Sequence, residues 1–247
     1  MTRLIKMVRP EVRLDDMFRF ATIAILGAMQ LVTPAWVVGQ VTGRGSLASP
    51  RPGVQAKGWS GRIDAKAERG GRKLADARVW DEGETLHIVG SPPAIYWRAS
   101  SRAKGTYDVQ ATFTQPATGL RTDAFGIFIG GTNLNGRQPN YLYCLVSGDG
   151  TFQVLHALGE EAHSLAGRTS SAAIRRVGGA AGIANEVSWR VTGDRITCAV
   201  NGSEVWSYGR ASVIGPGKLE TLDGITGLRL ETNLAMRVNG FTVRASR

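Results

Sequence analysis

Reactive side chains are scarce in this sequence: 247 residues contain three histidines and two cysteines. His87, His156 and His163 are the whole supply of imidazole. His156, Glu160 and His163 span a strand end and a loop, match no established zinc spacing and lack a fourth ligand, so zinc is not expected. No glycine-rich loop runs into a helix to cradle phosphate, and no serine sits on a nucleophile elbow. Basic residues outnumber acidic ones, 30 to 20. The arginines are nevertheless spread thinly, with no run denser than Arg175-Arg176, whereas a nucleic-acid surface gathers its charge into a patch or stripe. No strong amphipathic helix appears either. These absences remove zinc hydrolysis, P-loop phosphoryl transfer, serine-elbow hydrolysis and nucleic-acid binding from the expected functions.

Long apolar runs are also missing, with one exception near the start. Phe18 to Val32, FRFATIAILGAMQLV, follows Arg3, Lys6, Arg9, Arg13 and Arg19. A basic region, an apolar stretch and small residues at Ala35 or Gly39 make a secretory signal over residues 1–39. The uncharged span from Ala21 to Val41 leaves an uncleaved membrane anchor as the alternative. Glu11, Asp15 and Asp16 in the basic region point to a start at Met17. Without residues 1–39, which hold five basic and three acidic side chains, the net charge falls from +10 to +8. Residues 40–57, rich in Gly, Ser and Pro, read as a flexible linker. The folded domain is expected over 58–247, in a secreted or periplasmic protein with no membrane contact beyond the signal or anchor.

What the sequence does have is alternation. In Glu186 to Tyr208, EVSWRVTGDRITCAVNGSEVWSY, Val187, Trp189 and Val191 alternate with polar residues, and Ile196, Cys198 and Val200 repeat the pattern. Period two places one face on a core. Asn201-Gly202 between two such runs signals a hairpin, because a type I′ turn needs positive φ at both central residues. Tyr107, Val109, Ala111 and Phe113 alternate likewise, Ala124 to Ile129 is more apolar, and Tyr141 to Ser147 pairs with Thr151 to Leu158 across Gly148-Asp149-Gly150. Gly61 to Asp76 reads as a charged loop with an edge strand, and Glu160 to Ile183 as an irregular excursion with a helical turn at Ser171 to Arg176. About a dozen short strands with regular turn signals predict an all-β fold, two antiparallel sheets packed face to face. Cys144 and Cys198 share the inward parity of their strands, as a disulfide or as two small buried hydrophobes.

The succession VWDEGETLHIVG, GTYDVQATF, AFGIFIGG, YLYCLVSGDGTFQV, NEVSWRVTGDRITCAVNGSEVW and DGITGLRLETNLAMRVNGFTV resembles the concanavalin A-like lectin/glucanase superfamily. Within it the chain is most similar to the 3-keto-disaccharide hydrolase domain, a relative of the family-16 glycoside hydrolases. The resemblance implies a jelly-roll sandwich from about Gly58 to Val243 and a glycan on its concave face. The Glu-x-Asp-x-x-Glu motif of the family-16 glucanases is absent, so the resemblance leaves open whether the chain is an enzyme or a binding module. A structural or protein-interaction module of the cell envelope is the alternative.

Candidate site residues follow from strand parity. Phe128, Tyr141 and Tyr143 would share one outward surface if their strands are neighbours, and aromatic rings lie well against the apolar faces of sugars. Asn133, Arg137, Gln138 and Asn233 in adjoining loops would form a polar rim. Glu231, at the end of a late strand, is the weak catalytic candidate, since glycoside hydrolysis calls on paired carboxylates. No cofactor is expected, though an oxygen-ligand calcium site is open to Asp123, Asn133, Asn135 and Asp149.

Overall fold

The computed structural model describes residues 50–116, 123–178, 182–231 and 235–246. The signal segment 1–39 and most of the linker therefore lie outside the described residues, as does Asn233. In chain order the strands are β1 (Gly53–Val54), β2 (Trp59–Ile63), β3 (Arg78–Glu82), β4 (Thr85–Val89), β5 (Ala94–Ala103), β6 (Tyr107–Gln115), β7 (Ala124–Thr132) and β8 (Asn140–Ser147). They continue as β9 (Thr151–Leu158), β10 (Glu161–Ser170), β11 (Ile183–Val191), β12 (Arg195–Val200), β13 (Ser203–Gly209), β14 (Gly224–Leu230) and β15 (Ala235–Ala245). Two short helices, α1 (Ala65–Arg69) and α2 (Arg210–Val213), are inserted between strands.

The strands form an eight-stranded sheet, β1-β3-β4-β15-β6-β11-β12-β13, and a seven-stranded sheet, β10-β9-β8-β7-β14-β5-β2. Neighbours are antiparallel except β1 and β3, which run parallel. The chain is thus an all-β, two-sheet sandwich, as its alternation predicts. Strand β6 alternates buried and half-buried residues from end to end, because its sheet has one face on the core and one towards solvent. Strands β8 and β14 are buried at every residue. Both faces of the seven-stranded sheet are covered there, and that coverage makes the site.

The core between the sheets includes Val187, Trp189 and Val191 from one sheet and Phe125, Ile127, Leu142 and Val146 from the other. Two specific links cross it. The Trp189 indole N–H donates to the Ile127 carbonyl at 2.9 Å, and Cys144 on β8 is joined to Cys198 on β12 by a disulfide, Cα atoms 6.6 Å apart. The Asn201-Gly202 hairpin has the expected backbone, φ +50° and +81°, and aligns Val200 with Ser203 and Cys198 with Trp206.

Three segments differ from the reading of the sequence. Glu160 to Ile183 is not an irregular excursion: it contains the ten-residue strand β10. Strand β10 is an edge strand, exposed along most of both faces, and its pairing with β9 shifts register twice. No face of it is selected for apolar residues, so no period shows. Gly61 to Asp76 has the expected edge strand, the end of β2, but continues into α1 and a 3₁₀ turn at Leu74–Asp76 rather than a loop. Strand β1 falls within the segment read as linker and aligns Gly53 with Arg78.

Candidate functional site

Residues of the seven-stranded sheet that turn away from the core form a second cluster of buried residues, including Ile95, Trp97, Phe128, Tyr141, Tyr143 and Leu145. Strands β7 and β8 are neighbours, and Phe128 aligns with Tyr143. The three predicted aromatics therefore meet. Phe128 and Tyr141 have ring centroids 5.2 Å apart, and Tyr141 and Tyr143 5.4 Å apart.

They do not make an exposed platform. Phe128 is fully buried, and Tyr141 and Tyr143 are 5% and 3% exposed. The loop after β7 folds over them and adds Leu134 to the cluster. It is held there by Arg62 of β2, whose guanidinium donates to the carbonyls of Leu134 (2.7 Å) and Gly136. Phe128 also fits only because β14 has glycine beside it. A Cβ on Gly227 would meet the Tyr96 carbonyl oxygen and lie 2.5 Å from the Phe128 ring.

The tyrosines are reached from one side, through a cavity of about 410 Å³. Its apolar wall is Ile95, Leu155 and Ala157. Neither phenol hydroxyl makes a hydrogen bond to any described residue. Burial pushes both phenols above the usual tyrosine range, and Arg229 acts against that shift. Both groups are therefore neutral donors at physiological pH.

Arg229 is the charged centre of the cavity. Leu228 and Leu230 on either side of it point into the core, so alternation along β14 turns Arg229 to the opposite face. It is 4% exposed. Its two terminal nitrogens contact the two carboxylate oxygens of Asp64, Nη1 to Oδ1 and Nη2 to Oδ2, the latter at 2.6 Å. Nη2 also donates to Glu231 at 3.2 Å. The guanidinium carbon lies 5.4 Å from the centre of the Tyr143 ring, a cation–π distance. Burial opposes the charge, but the Asp64 carboxylate that accepts from Arg229 favours it, and Arg229 stays protonated.

Asp64 occupies the N-cap of α1 yet makes no side-chain capping bond. An N-cap aspartate ordinarily accepts from the first helical N–H groups. Here its carboxylate is turned to Arg229 instead. The same helix closes the rim: Arg69 contacts both carboxylate oxygens of Glu160, in the turn between β9 and β10, at 2.6 Å. Glu160 and Glu161 both line the cavity.

Sequence reasoning placed Glu231, Tyr141 and Tyr143 in one site, and all three line this cavity. It treated Glu231 as a lone acid, whereas Asp64 sits across Arg229 from it. Asp64, Arg62 and Arg229 were missed. The one local signal is an arginine at outward parity in the otherwise apolar GITGLRL. Nothing local joins it to an aspartate 165 residues away.

The predicted polar rim is elsewhere. Asn133 has φ +52° and donates its amide to the Gln138 carbonyl at 2.9 Å, closing the loop on itself. Asn133, Arg137 and Gln138 are exposed and do not line the cavity. Asn233 lies outside the described residues. His156 and His163 stack with ring centroids 5.9 Å apart, while Glu160 pairs with Arg69. Of the oxygen-bearing residues considered for calcium, Asp149 is bonded to Thr151 and Arg168.

No protein-family model matches the sequence, and no curated protein does. Solved structures do share the fold. One is the carbohydrate binding module CBM66 from Bacillus subtilis, with 10% identity over 78% of this chain and 98% of that one, TM-score 0.54. Another is a protein of unknown function with a galectin-like fold from Bacillus subtilis, with 11% identity over 78% of this chain and 94% of that one, TM-score 0.52. At such identity the likeness is one of architecture: a concanavalin-like β-sandwich.

Proposed function

We propose that this sandwich is an exported carbohydrate-binding protein whose ligand enters the cavity beside Tyr141, Tyr143 and Arg229. One observation carries the reading. Two buried tyrosines whose hydroxyls bond to no described residue line a cavity that also holds the carboxylates of Asp64 and Glu231 and an apolar wall. A sugar ring presents the complement: a ring of hydroxyls that both donate and accept, around an apolar face. The fold shared with a carbohydrate binding module supports the reading. The signal-like segment 1–39 and the Cys144–Cys198 disulfide support an oxidising, extracytoplasmic setting.

Binding is tested by screening the full chain against a glycan array and measuring each hit by calorimetry for wild type, Tyr141→Phe and Tyr143→Phe. Both substitutions keep the ring and remove the hydroxyl. Each is expected to weaken binding about tenfold, the worth of roughly 1.4 kcal/mol. Hits bound equally by all three proteins would overturn the assignment of the site.

Cleavage is a second reading, in line with the resemblance to 3-keto-disaccharide hydrolases. Asp64 and Glu231 give one cavity two carboxylates, the minimum for acid–base hydrolysis of a glycosidic bond. Both are bound to a single guanidinium, an arrangement that orients acceptors more than it frees an acid, and binding is therefore the preferred conclusion. Products formed by wild type and lost in Glu231→Gln would reverse that preference.

A further inference from the structure

We infer that the sugar this cavity takes carries no acidic group, and that uronates, sialates and sulfated sugars are refused although the chain as a whole has a net charge of +10. The inference rests on the saccharide-binding reading and adds the class of ligand to it.

The donors that remain free at the cavity base decide the class of ligand. A carboxylated or sulfated sugar is usually held by a guanidinium that presents two parallel N–H groups. Three arginines stand at this site, and the one at its base is fully committed. Arg229 gives both terminal nitrogens to Asp64 and one of them also to Glu231, and its Nε is buried without a partner, sealed from a ligand. Arg62 gives its Nη1 to the carbonyls of Leu134 and Gly136, which turns that end of the guanidinium to the loop after β7. Arg69, which does not line the cavity, gives its Nη1 to both carboxylate oxygens of Glu160. Of the cationic side chains lining the cavity, Lys66 alone has no such bond, and it is an exposed residue of α1.

The acceptors are the opposite case. The Asp64 and Glu231 side chains are 35% and 38% exposed, so oxygen lone pairs remain open to a ligand. Two carboxylates on one guanidinium leave the cavity base with a net charge of −1. The whole lining has the same balance, with Arg62, Lys66 and Arg229 against Asp64, Glu160, Glu161 and Glu231. A ligand that brings hydroxyl or ammonium N–H and O–H donors satisfies this surface. One that brings a carboxylate sets like charges together where water is partly excluded, at a cost that rises as the local dielectric falls.

The probes are oligosaccharides of glucose, galactose and mannose, each with its C6-oxidised uronate counterpart, titrated into the full chain at low and high salt. For the ring that binds, the uronate is expected to be at least about tenfold weaker at low salt, with the gap narrowing as salt screens the repulsion. In Glu231→Gln, where Asp64 still holds Arg229, the gap is expected to shrink by several-fold. A uronate that binds as tightly as its neutral partner, or a gap unmoved by both salt and Glu231→Gln, would overturn the inference. Tight binding of uronates alone would sink the charge argument and leave saccharide binding standing. No binding by any probe, neutral or acidic, would sink the saccharide reading itself and the inference with it.

Discussion

Replacing Asp64 by Asn should destabilise the protein more than removing Arg229 outright, and the reason lies in the unequal burial of the partners. Arg229 is almost wholly buried, while Asp64 and Glu231 each keep more than a third of their side chains in contact with solvent. Asp64→Asn preserves shape but leaves a buried guanidinium with a single carboxylate at 3.2 Å. Breaking a fully buried pair by neutralising one partner costs roughly 3–5 kcal/mol. Partial exposure of Asp64, the bond Asn can still accept from and the remaining Glu231 contact reduce this to about 2 kcal/mol. Arg229→Met removes the buried charge and fills its space, and the two carboxylates it releases hydrate through the cavity. The expected loss is about 1 kcal/mol. Urea unfolding followed by tryptophan fluorescence measures both variants and the double substitution, which should cost less than the two losses added together. A loss below about 0.5 kcal/mol in Asp64→Asn, or a larger loss in Arg229→Met than in Asp64→Asn, would refute the reasoning.

Gly227→Ala should cost about 2 kcal/mol in the same assay, because its Cβ would press on the Tyr96 carbonyl and the Phe128 ring, as overpacking does elsewhere. A cost near zero would mean the outer cluster repacks freely. His156 is buried, and burial lowers its pKa to about 4, below the 6.5 of an unfolded histidine. Above pH 6.5 neither state takes up the proton. Between 6.5 and 4 only the unfolded state does, so stability falls by about 3 kcal/mol as pH drops through that window. His156→Gln should flatten that part of the stability–pH curve, and an unchanged slope would count against it. Replacing both Cys144 and Cys198 by Ala should cost up to about 4 kcal/mol, the chain-entropy value for a closed loop with a sequence separation of 54. Urea midpoints equal to wild type would argue against a formed disulfide.

Much of the fold was legible because its strands differ in environment. Strand β6 lies between a core and solvent, and its alternation named it at once. The hairpin at Asn201-Gly202 was readable for a separate reason, since positive φ at two successive positions selects those residue types. Strand β10 was hidden because neither of its faces is buried and hydrogen bonding to β9 leaves no trace in residue choice. The site was half legible. Parity put Tyr141 and Tyr143 on one surface, but parity cannot say what covers that surface. The cover comes from β2, α1 and the loop after β7, through contacts such as Arg62 to Leu134, 72 residues apart. The Asp64–Arg229 pair was illegible for the same reason, and so was the burial of the aromatic strip.

The disulfide has a bearing on the tyrosines as well as on the core. Tyr143 and Cys144 are adjacent on β8 and face opposite ways, so the covalent tie to β12 is fastened directly behind the cavity wall. A strand anchored there resists sliding and tilting, which holds the backbone that carries the phenols. On the proposed saccharide reading, such a wall would bind without the entropy loss of ordering a loose surface, and it would favour one ring geometry over many.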